Sequence, residues 1–322
     1  MTAFDGLISS GNVALEPEVL GGIFASASEQ SVVLGLGRKL RNMTTREMKL
    51  KVSTALPEVY FVGEKGRSQS FPSGSNKQVT TSEWEDVSIK AGELAAIIVI
   101  PNTVFQDANF DVIGEVRAQI PGAIAAKVDA AVLYGESGHD VPDDWSDGIV
   151  QGAPSGSSIG SDVGADLYDA ILGTGGLFAA VEQYGYDVNG IVADVSMKAA
   201  LRGLRDTTTG LPIFLNSMQS AGNYTLGGVG IRFPMNGALD KAQTLMIAGD
   251  WNKLVYSIRQ DVAIDVFTTG VVNDANGVIV HNLLQSDLTA IRCSFRLGWG
   301  MPLPATRYTA SLAKYPFAFL TP

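Results

Sequence analysis

Gly156-Ser157-Ser158-Ile159-Gly160 spells the G-x-S-x-G pattern in which a nucleophilic serine sits on a sharp strand-to-helix turn. That chemistry needs a strand before the serine, a helix directly after it, and an acid and a histidine later in the chain. Here the pentapeptide lies in a Gly- and Ser-rich stretch, and His281 is the sole downstream histidine. A joint between structural units is the better reading, with a serine hydrolase using Ser158 and His281 as a rival. His139, Asp140, Asp143, Asp144 and Asp147 gather carboxylates suited to a hard cation. They lack the D-x-D-x-D-G order and closing Glu of a calcium loop, so a solvated acidic loop is expected. With two histidines and one cysteine in the chain, a zinc site of His and Cys alone would lack ligands. Gly173-Thr174-Gly175-Gly176 and Leu226-Gly227-Gly228-Val229-Gly230 complete neither G-x-G-x-x-G nor a Gly-Lys-Ser/Thr ending, and both are expected to be turns. Glu83 and Glu85 share a strand face, but an exposed hairpin would not desolvate them enough to split their pKa values. Cys293, in an alternating apolar segment without a thiolate-stabilising neighbour, reads as a small buried hydrophobe. No catalytic, cofactor-binding or metal-binding residues are expected.

A chain of 322 residues, 46% apolar and 17% charged, can bury a sizeable core as one large domain or two ordinary ones. Its net charge of −10, with no basic block beyond Arg38-Lys39 and Arg41, gives no footprint for tight nucleic-acid binding. Met1 to Asn12 lacks the basic start and continuous apolar stretch of a secretory signal. The longest apolar run, Leu94 to Pro101, is far short of the roughly 20 residues of a membrane span. A soluble, intracellular chain without an internal disulfide framework is expected.

These features must be positioned by recognisable elements. Residues 1 to 45 read as an arm lying on something else, with a short helix over Glu16 to Ala27. Lys49 to Glu64 and Gln78 to Lys90 read as the strands of a long hairpin, and Lys65 to Lys77 as a polar tip too long for a tight turn. A two-stranded ribbon without a covering layer is marginal in water, so another chain is expected to cover it. Leu94 to Ile100 reads as an apolar strand closed by Pro101. From Asp107 to Tyr134, residues Ile113, Val116, Ile120, Ile124, Val128 and Ala131 mark one face of a long helix of roughly 40 Å. Pro121 is expected to kink it. After a glycine-rich joint over Gly135 to Gly164, a mixed α/β unit is expected. Its parts are a helix over Ala165 to Tyr184, a strand over Gly190 to Ala193 and a helix over Ser196 to Arg205 capped by its serine. Strands over Leu245 to Gly249 and Leu254 to Arg259 flank the Asp250-Trp251 turn. Strands over Val262 to Phe267 and Gly277 to Asn282 join through Asn273-Asp274-Ala275-Asn276-Gly277. Leu288 to Trp299 alternates Ile291, Cys293, Phe295, Leu297 and Trp299 against Arg292, Ser294, Arg296 and Gly298, the clearest strand in the chain.

From Glu47 to Gly152 this order of strand, hairpin, apolar strand, long helix and glycine loop resembles the central part of tailed-bacteriophage major capsid proteins with the Hong Kong 97 fold. In that family the long helix tends to end in an Asp, small residues, an apolar residue and a Gly, followed by a Gly-Ile pair. Asp129-Ala130-Ala131-Val132-Leu133-Tyr134-Gly135 and Gly148-Ile149 are similar. So are Gly249-Asp250-Trp251, Tyr256-Ser257-Ile258-Arg259, and the alternating strand through Arg296 that leads into Pro302 to Leu312. Each motif is soft, and it is the ordered set over most of the chain that carries the resemblance.

The resemblance implies an α+β fold with a peripheral domain, an axial domain, an extended E-loop hairpin and an N-terminal arm. On this chain the arm maps to 1–48, the hairpin to 49–92, and the peripheral domain with its spine helix to 93–146. The axial domain maps to 147–261, the peripheral return to 262–300, and the axial return with the C-terminus to 301–322. The implied function is a major capsid protein without catalysis, whose copies form pentamers and hexamers of an icosahedral head shell around packaged double-stranded DNA. An encapsulin-like cellular nanocompartment shell is the alternative within the same fold. The hairpin is implied to lie across a neighbouring subunit, with Tyr60, Phe61 and Phe71 as apolar anchors and Arg38 and Arg67 in inter-chain ion pairs. Lys65 or Lys77, with Asn276 or Asn282, are candidates for a Lys-to-Asn bond of the kind some members form between subunits. No Glu follows Glu182, so the C-terminal third lacks the base that bond needs, and a non-covalent shell is expected. Some members carry a helical scaffolding segment before the arm, and this chain begins almost directly at the arm; either scaffolding is a separate protein or that segment has been removed, and the expected partners are a separate scaffolding protein, a portal and a decoration protein. DNA would be held by non-specific proximity only, with no membrane contact. The location implied is the virion, assembled in the host bacterial cytoplasm.

Overall fold

The computed structural model describes residues 30–59, 79–107, 111–135, 141–145, 147–160, 167–205, 224–274, 276–307 and 314–322. The expected helix over Glu16 to Ala27 and the hairpin tip over Lys65 to Lys77 lie outside them. The strands are β1 (Arg38–Lys39), β2 (Glu47–Ala55), β3 (Glu83–Pro101), β4 (Ser158–Gly160), β5 (Gly190–Ala193), β6 (Thr225–Leu226), β7 (Val229–Arg232), β8 (Met246–Gly249), β9 (Val255–Phe267), β10 (Val271–Asn273), β11 (Ile279–Asn282), β12 (Leu288–Gly300) and β13 (Phe317–Thr321). They form a five-stranded sheet in the order β1-β9-β12-β3-β2, a six-stranded sheet in the order β4-β13-β8-β5-β7-β6, and a separate β10-β11 ribbon.

The inner strands of the six-stranded sheet are apolar on both sides, as buried strands must be. Successive side chains point to opposite faces, and here the two faces meet two different cores. Ile191, Ala193, Met246, Ala248, Ala318 and Leu320 face short helices over Leu167–Leu172, Leu177–Glu182 and Met197–Gly203. Val192, Ile247, Phe317 and Phe319 point the other way, into a core shared with the five-stranded sheet and the long helix.

That helix spans Val112–Tyr134, about 35 Å at 1.5 Å per residue. Asp111 begins it, its carboxylate accepting from the Gly114 N–H at 3.0 Å. A separate short helix, Asn102–Asp107, precedes it, and the single element expected from Asp107 is interrupted at Asp111, whose backbone is extended. Pro121 lies inside the long helix, which continues past it as one element. Ile120, Ile124, Val128 and Ala131 are buried on the predicted face, while Ile113 and Val116 pack at its edge. From Val128 onward every residue is buried, because the last turns run between the two sheets.

The turn after the helix explains the Gly148-Ile149 pair. Ile149 N–H donates to the Val132 carbonyl at 2.9 Å and Val150 N–H to the Leu133 carbonyl at 2.8 Å, satisfying two carbonyls a helix end leaves unpaired. A Cβ on Gly148 would fall 2.3 Å from the Gly135 nitrogen, so only glycine permits this return. The Tyr315 hydroxyl donates to the Ile149 carbonyl, and burial pushes its pKa up.

Several expected elements differ from those observed. The strands read as Gln78 to Lys90 and Leu94 to Ile100 are one 19-residue strand, β3. Those read as Leu254 to Arg259 and Val262 to Phe267 are likewise one strand, β9, in which a register shift against β12 interrupts the alternation near Gln260. The Asn273 to Gly277 turn joins β11 to β10, not to residues 262–267, which pair with β12. The helix over 165–184 is two helices separated by the Gly173 to Gly176 turn. Ser196 does not cap its helix through its side chain; its hydroxyl donates to the Asp194 carboxylate at 2.5 Å.

Candidate assembly surface

The hairpin is well packed at its root and bare farther out along its described residues. At its root Met48 and Ile89 join Met43 and Val255 in a small core, and Val52 is also buried. Beyond Val87 cover is lost, and Glu83 to Asp86 are all exposed. Trp84 is 65% exposed, and Val59 and Val79 each 92%. Its nearest cover comes from Ala305, whose N–H donates to the Ser53 carbonyl, and from Arg307, which donates to the Pro57 carbonyl, both at 2.7 Å. Tyr60, Phe61, Lys65, Arg67, Phe71 and Lys77 lie outside the described residues. Arg38 is exposed on β1, which pairs in parallel with β9.

The β10-β11 ribbon is the second bare region. Asp274 fixes its turn, accepting from the N–H groups of Asn276 and Val278 at 2.9 and 2.8 Å. Asn276 is exposed at that turn. Val271, Val278, Ile279, Val280 and Leu284 are all more than half exposed. Val271 pairs across from Asn282 and Val272 from His281, so adjacent β-branched residues place apolar side chains on both faces. From Thr268 to Ser286 the one carboxylate is Asp274, and no Lys or Arg occurs. The turn sequence was legible, but the apolar exposure was not; the signal was two β-branched runs, Val271-Val272 and Val278-Ile279-Val280, close to it.

A 3-10 turn, Ser155–Ser157, precedes Ser158, which is exposed in β4, the reverse of the strand-serine-helix order a nucleophile needs. His281 is exposed on the ribbon, in a different β unit. Leu226 to Gly230 forms the tight turn between β6 and β7, with Gly227 and Gly228 at φ of 57° and 85°. His139 and Asp140 lie outside the described residues. Asp144 accepts from Lys90 at 2.6 Å, a bond that raises the lysine pKa, and stands 3.9 Å from Arg46. Among the described residues no group of His, Cys, Asp and Glu could hold a metal ion. Cys293 is buried, and burial pushes its thiol pKa up.

One buried polar cluster has a clear structural task. Asp129, on the long helix, accepts from the Ser31 hydroxyl at 2.5 Å, Val32 N–H at 3.0 Å, Val33 N–H at 3.1 Å and Asn236 at 2.8 Å. It thereby caps the helix Val32–Leu36 and ties that first described helix to the long one. Burial raises its carboxyl pKa, and the four donors oppose that rise.

The long helix packs into the core between the two sheets, and two ribbons extend from the subunit with apolar side chains exposed. A family model, the phage capsid family, matches residues 11–304, and the chain belongs to that family. A solved structure from Microbacterium phage Oxtober96 is 25% identical, with a TM-score of 0.76 over 100% of this chain and 95% of that one. One from Mycobacterium phage Adephagia is 26% identical, with a TM-score of 0.74 over 91% of this chain and 90% of that one. The fold is shared further, with the capsid of a native GTA particle, at 15% identity and a TM-score of 0.60 over 92% of this chain and 89% of that one. No curated protein matches in sequence. The protein is a major capsid protein of the Hong Kong 97-like fold, a structural component of the virion that assembles with copies of itself into a shell.

Proposed function

We propose that this subunit forms pentamers and hexamers of an icosahedral head around double-stranded DNA, and that its two bare ribbons make the contacts between copies. The observation that carries this reading is where apolar surface stands exposed: among the described residues, most of the large exposed apolar side chains lie on the hairpin and on or beside the β10-β11 ribbon. Apolar patches of this kind mark interaction sites in soluble proteins. In this reading residues 1–48 are an arm, 49–92 the hairpin, 93–146 and 262–300 the peripheral domain, and 147–261 with 301–322 the axial domain. The hairpin lies across a neighbouring copy through Tyr60, Phe61 and Phe71, and Arg38 and Arg67 add ion pairs at the contact. The ribbon, with Asn276 at its turn, meets a further copy. A nearly uncharged ribbon suits contact between copies of a chain with net charge −10, since like-charged surfaces repel.

No catalytic role is assigned. Lys65 and Lys77 act as polar tip residues, and the shell is held without covalent links between subunits. Assembly occurs in the host bacterial cytoplasm on a separate scaffolding protein, with a portal at one vertex and a decoration protein outside. The acidic subunit holds DNA by enclosure, not by specific contacts.

Negative-stain microscopy of the purified chain, with and without a co-expressed scaffold, tests the proposal. Closed shells with five- and six-fold units are expected. Monodisperse monomers under every assembly condition would reject it.

A further inference from the structure

We infer that the acidic turn Asp143–Trp145 is a clamp fixing the direction in which the β2-β3 hairpin leaves the five-stranded sheet, with Asp144 and Trp145 as its positioning residues. The inference rests on the hairpin being an arm between subunits.

β3 changes partner within a single step. Lys90 is opposite Glu47 of β2, and the next residue, Ala91, is opposite Gly298 of β12. A strand held by one neighbour before a point and by another after it has a natural pivot there. Contacts from one turn converge on that point. The Trp145 indole N–H donates to the Lys90 carbonyl at 3.1 Å. One Asp144 oxygen accepts from Lys90 Nζ at 2.6 Å, and the other is 3.9 Å from Arg46 Nη2. Arg46 immediately precedes β2, and its carbonyl accepts from the Ala91 N–H at 2.8 Å. A single carboxylate therefore reaches both strands at the root of the hairpin.

Packing completes the clamp. A Cβ on Gly92 would stand 2.9 Å from Pro142 Cγ and 3.3 Å from the Trp145 ring, so the turn lies directly against the strand. Trp145 is itself seated edge-on against Trp299 of β12, with ring centroids 6.4 Å apart. The turn Asp143–Trp145 thus has a mechanical task at the hairpin root.

The leverage is large. From Lys90 to Glu83 with its partner strand the hairpin extends about 25 Å, so a 10° swing at the root displaces its far end by roughly 4 Å. An ion pair between partly exposed groups contributes little to the stability of the fold, yet it selects among hairpin directions that cost little to exchange.

Spin labels on Thr81→Cys in the hairpin and Ala118→Cys on the long helix, both exposed, report this direction in the unassembled full chain; Cys293 is buried and stays unlabelled. Double electron–electron resonance should give a narrow distance distribution. It should broaden in Asp144→Asn and in Trp145→Phe, which keeps the ring but loses the N–H donor, and narrow again in Asp144→Glu. An unchanged melting curve should accompany the shift in Asp144→Asn, and shell yield should fall several-fold in the two broadened variants. A distribution that stays narrow in both folded variants overturns the clamp. Broadening with full shell yield supports the clamp and overturns the arm reading on which it rests.

Discussion

β12 and the β10-β11 ribbon are made from similar residues and end in opposite states. Both are rich in β-branched and apolar side chains, but β12 places Ile291, Cys293, Phe295, Leu297 and Trp299 on one face, each 9% exposed or less. Its other face carries Arg292 and Arg296, paired with Asp265 at 2.7 Å and Glu93 at 2.8 Å. The ribbon has no such division, and its aliphatic side chains stand in solvent on both faces. Alternation says that a strand has one core inside its own chain, and apolar side chains left in solvent on both faces are what a covering copy would bury. In the reading proposed above, the first region supplies the subunit's stability and the second its capacity to associate.

Substitutions can break this contrast in order of size. Phe295→Ala, at a fully buried position, should cost about 3–5 kcal/mol in chemical denaturation of the free subunit, from lost transfer energy and the cavity left behind. Asp129→Ala should follow at about 3 kcal/mol, because it strands the buried Ser31 hydroxyl and the N–H groups of Val32 and Val33. Its effect should include faster hydrogen exchange across the helix Val32–Leu36. Arg296→Ala should cost about 0.5 kcal/mol and less at high salt, as expected for a pair with side chains 35% and 49% exposed. The double substitution Ile279→Ser with Val280→Ser should shift free-subunit stability by less than about 0.5 kcal/mol, while shell yield by sedimentation collapses. Loss of folding in that last variant would mean that the ribbon belongs to the core after all.

A pH titration sharpens the comparison on the core side. The Asp194 carboxyl lies below its ordinary value because it accepts from the Ser196 hydroxyl and N–H. A depressed carboxyl stabilises the fold above its unfolded value, here 3.8, and that stabilisation disappears as pH falls through the lower folded value. Melting temperatures of the native chain and Asp194→Ala should therefore differ at neutral pH and converge in stronger acid.

What was legible in the sequence follows from the same contrast. β12 and the buried face of the long helix were plain because each answers to a core within the chain that imposes a period of two or of three to four, and β5 was plain as a short apolar run buried on both faces. β9 and β3 were read in pieces because a register shift near Gln260 and a change of partner at Ala91 interrupt the pattern without ending the strand. β10 was missed because three residues paired to a ribbon impose no burial period, and β13 because a short apolar run near the chain end carries none of its own. The role of Asp144 was hidden because its partners, Arg46 and Lys90, are brought to it by the hairpin and are remote in sequence. The Asp129 to Gly135 and Gly148-Ile149 motifs were visible as residues; their physics, a cap on an incoming helix and a glycine return onto a helix end, needed the packing.

Hydrogen exchange of the free subunit against the assembled shell tests the division between core and ribbons most directly. The amides of 47–59, 79–90 and 271–282 should gain protection on assembly, while those of β5, β8 and β13 should be equally slow in both states. Ribbons that exchange as fast in the shell as in the free subunit would contradict the account.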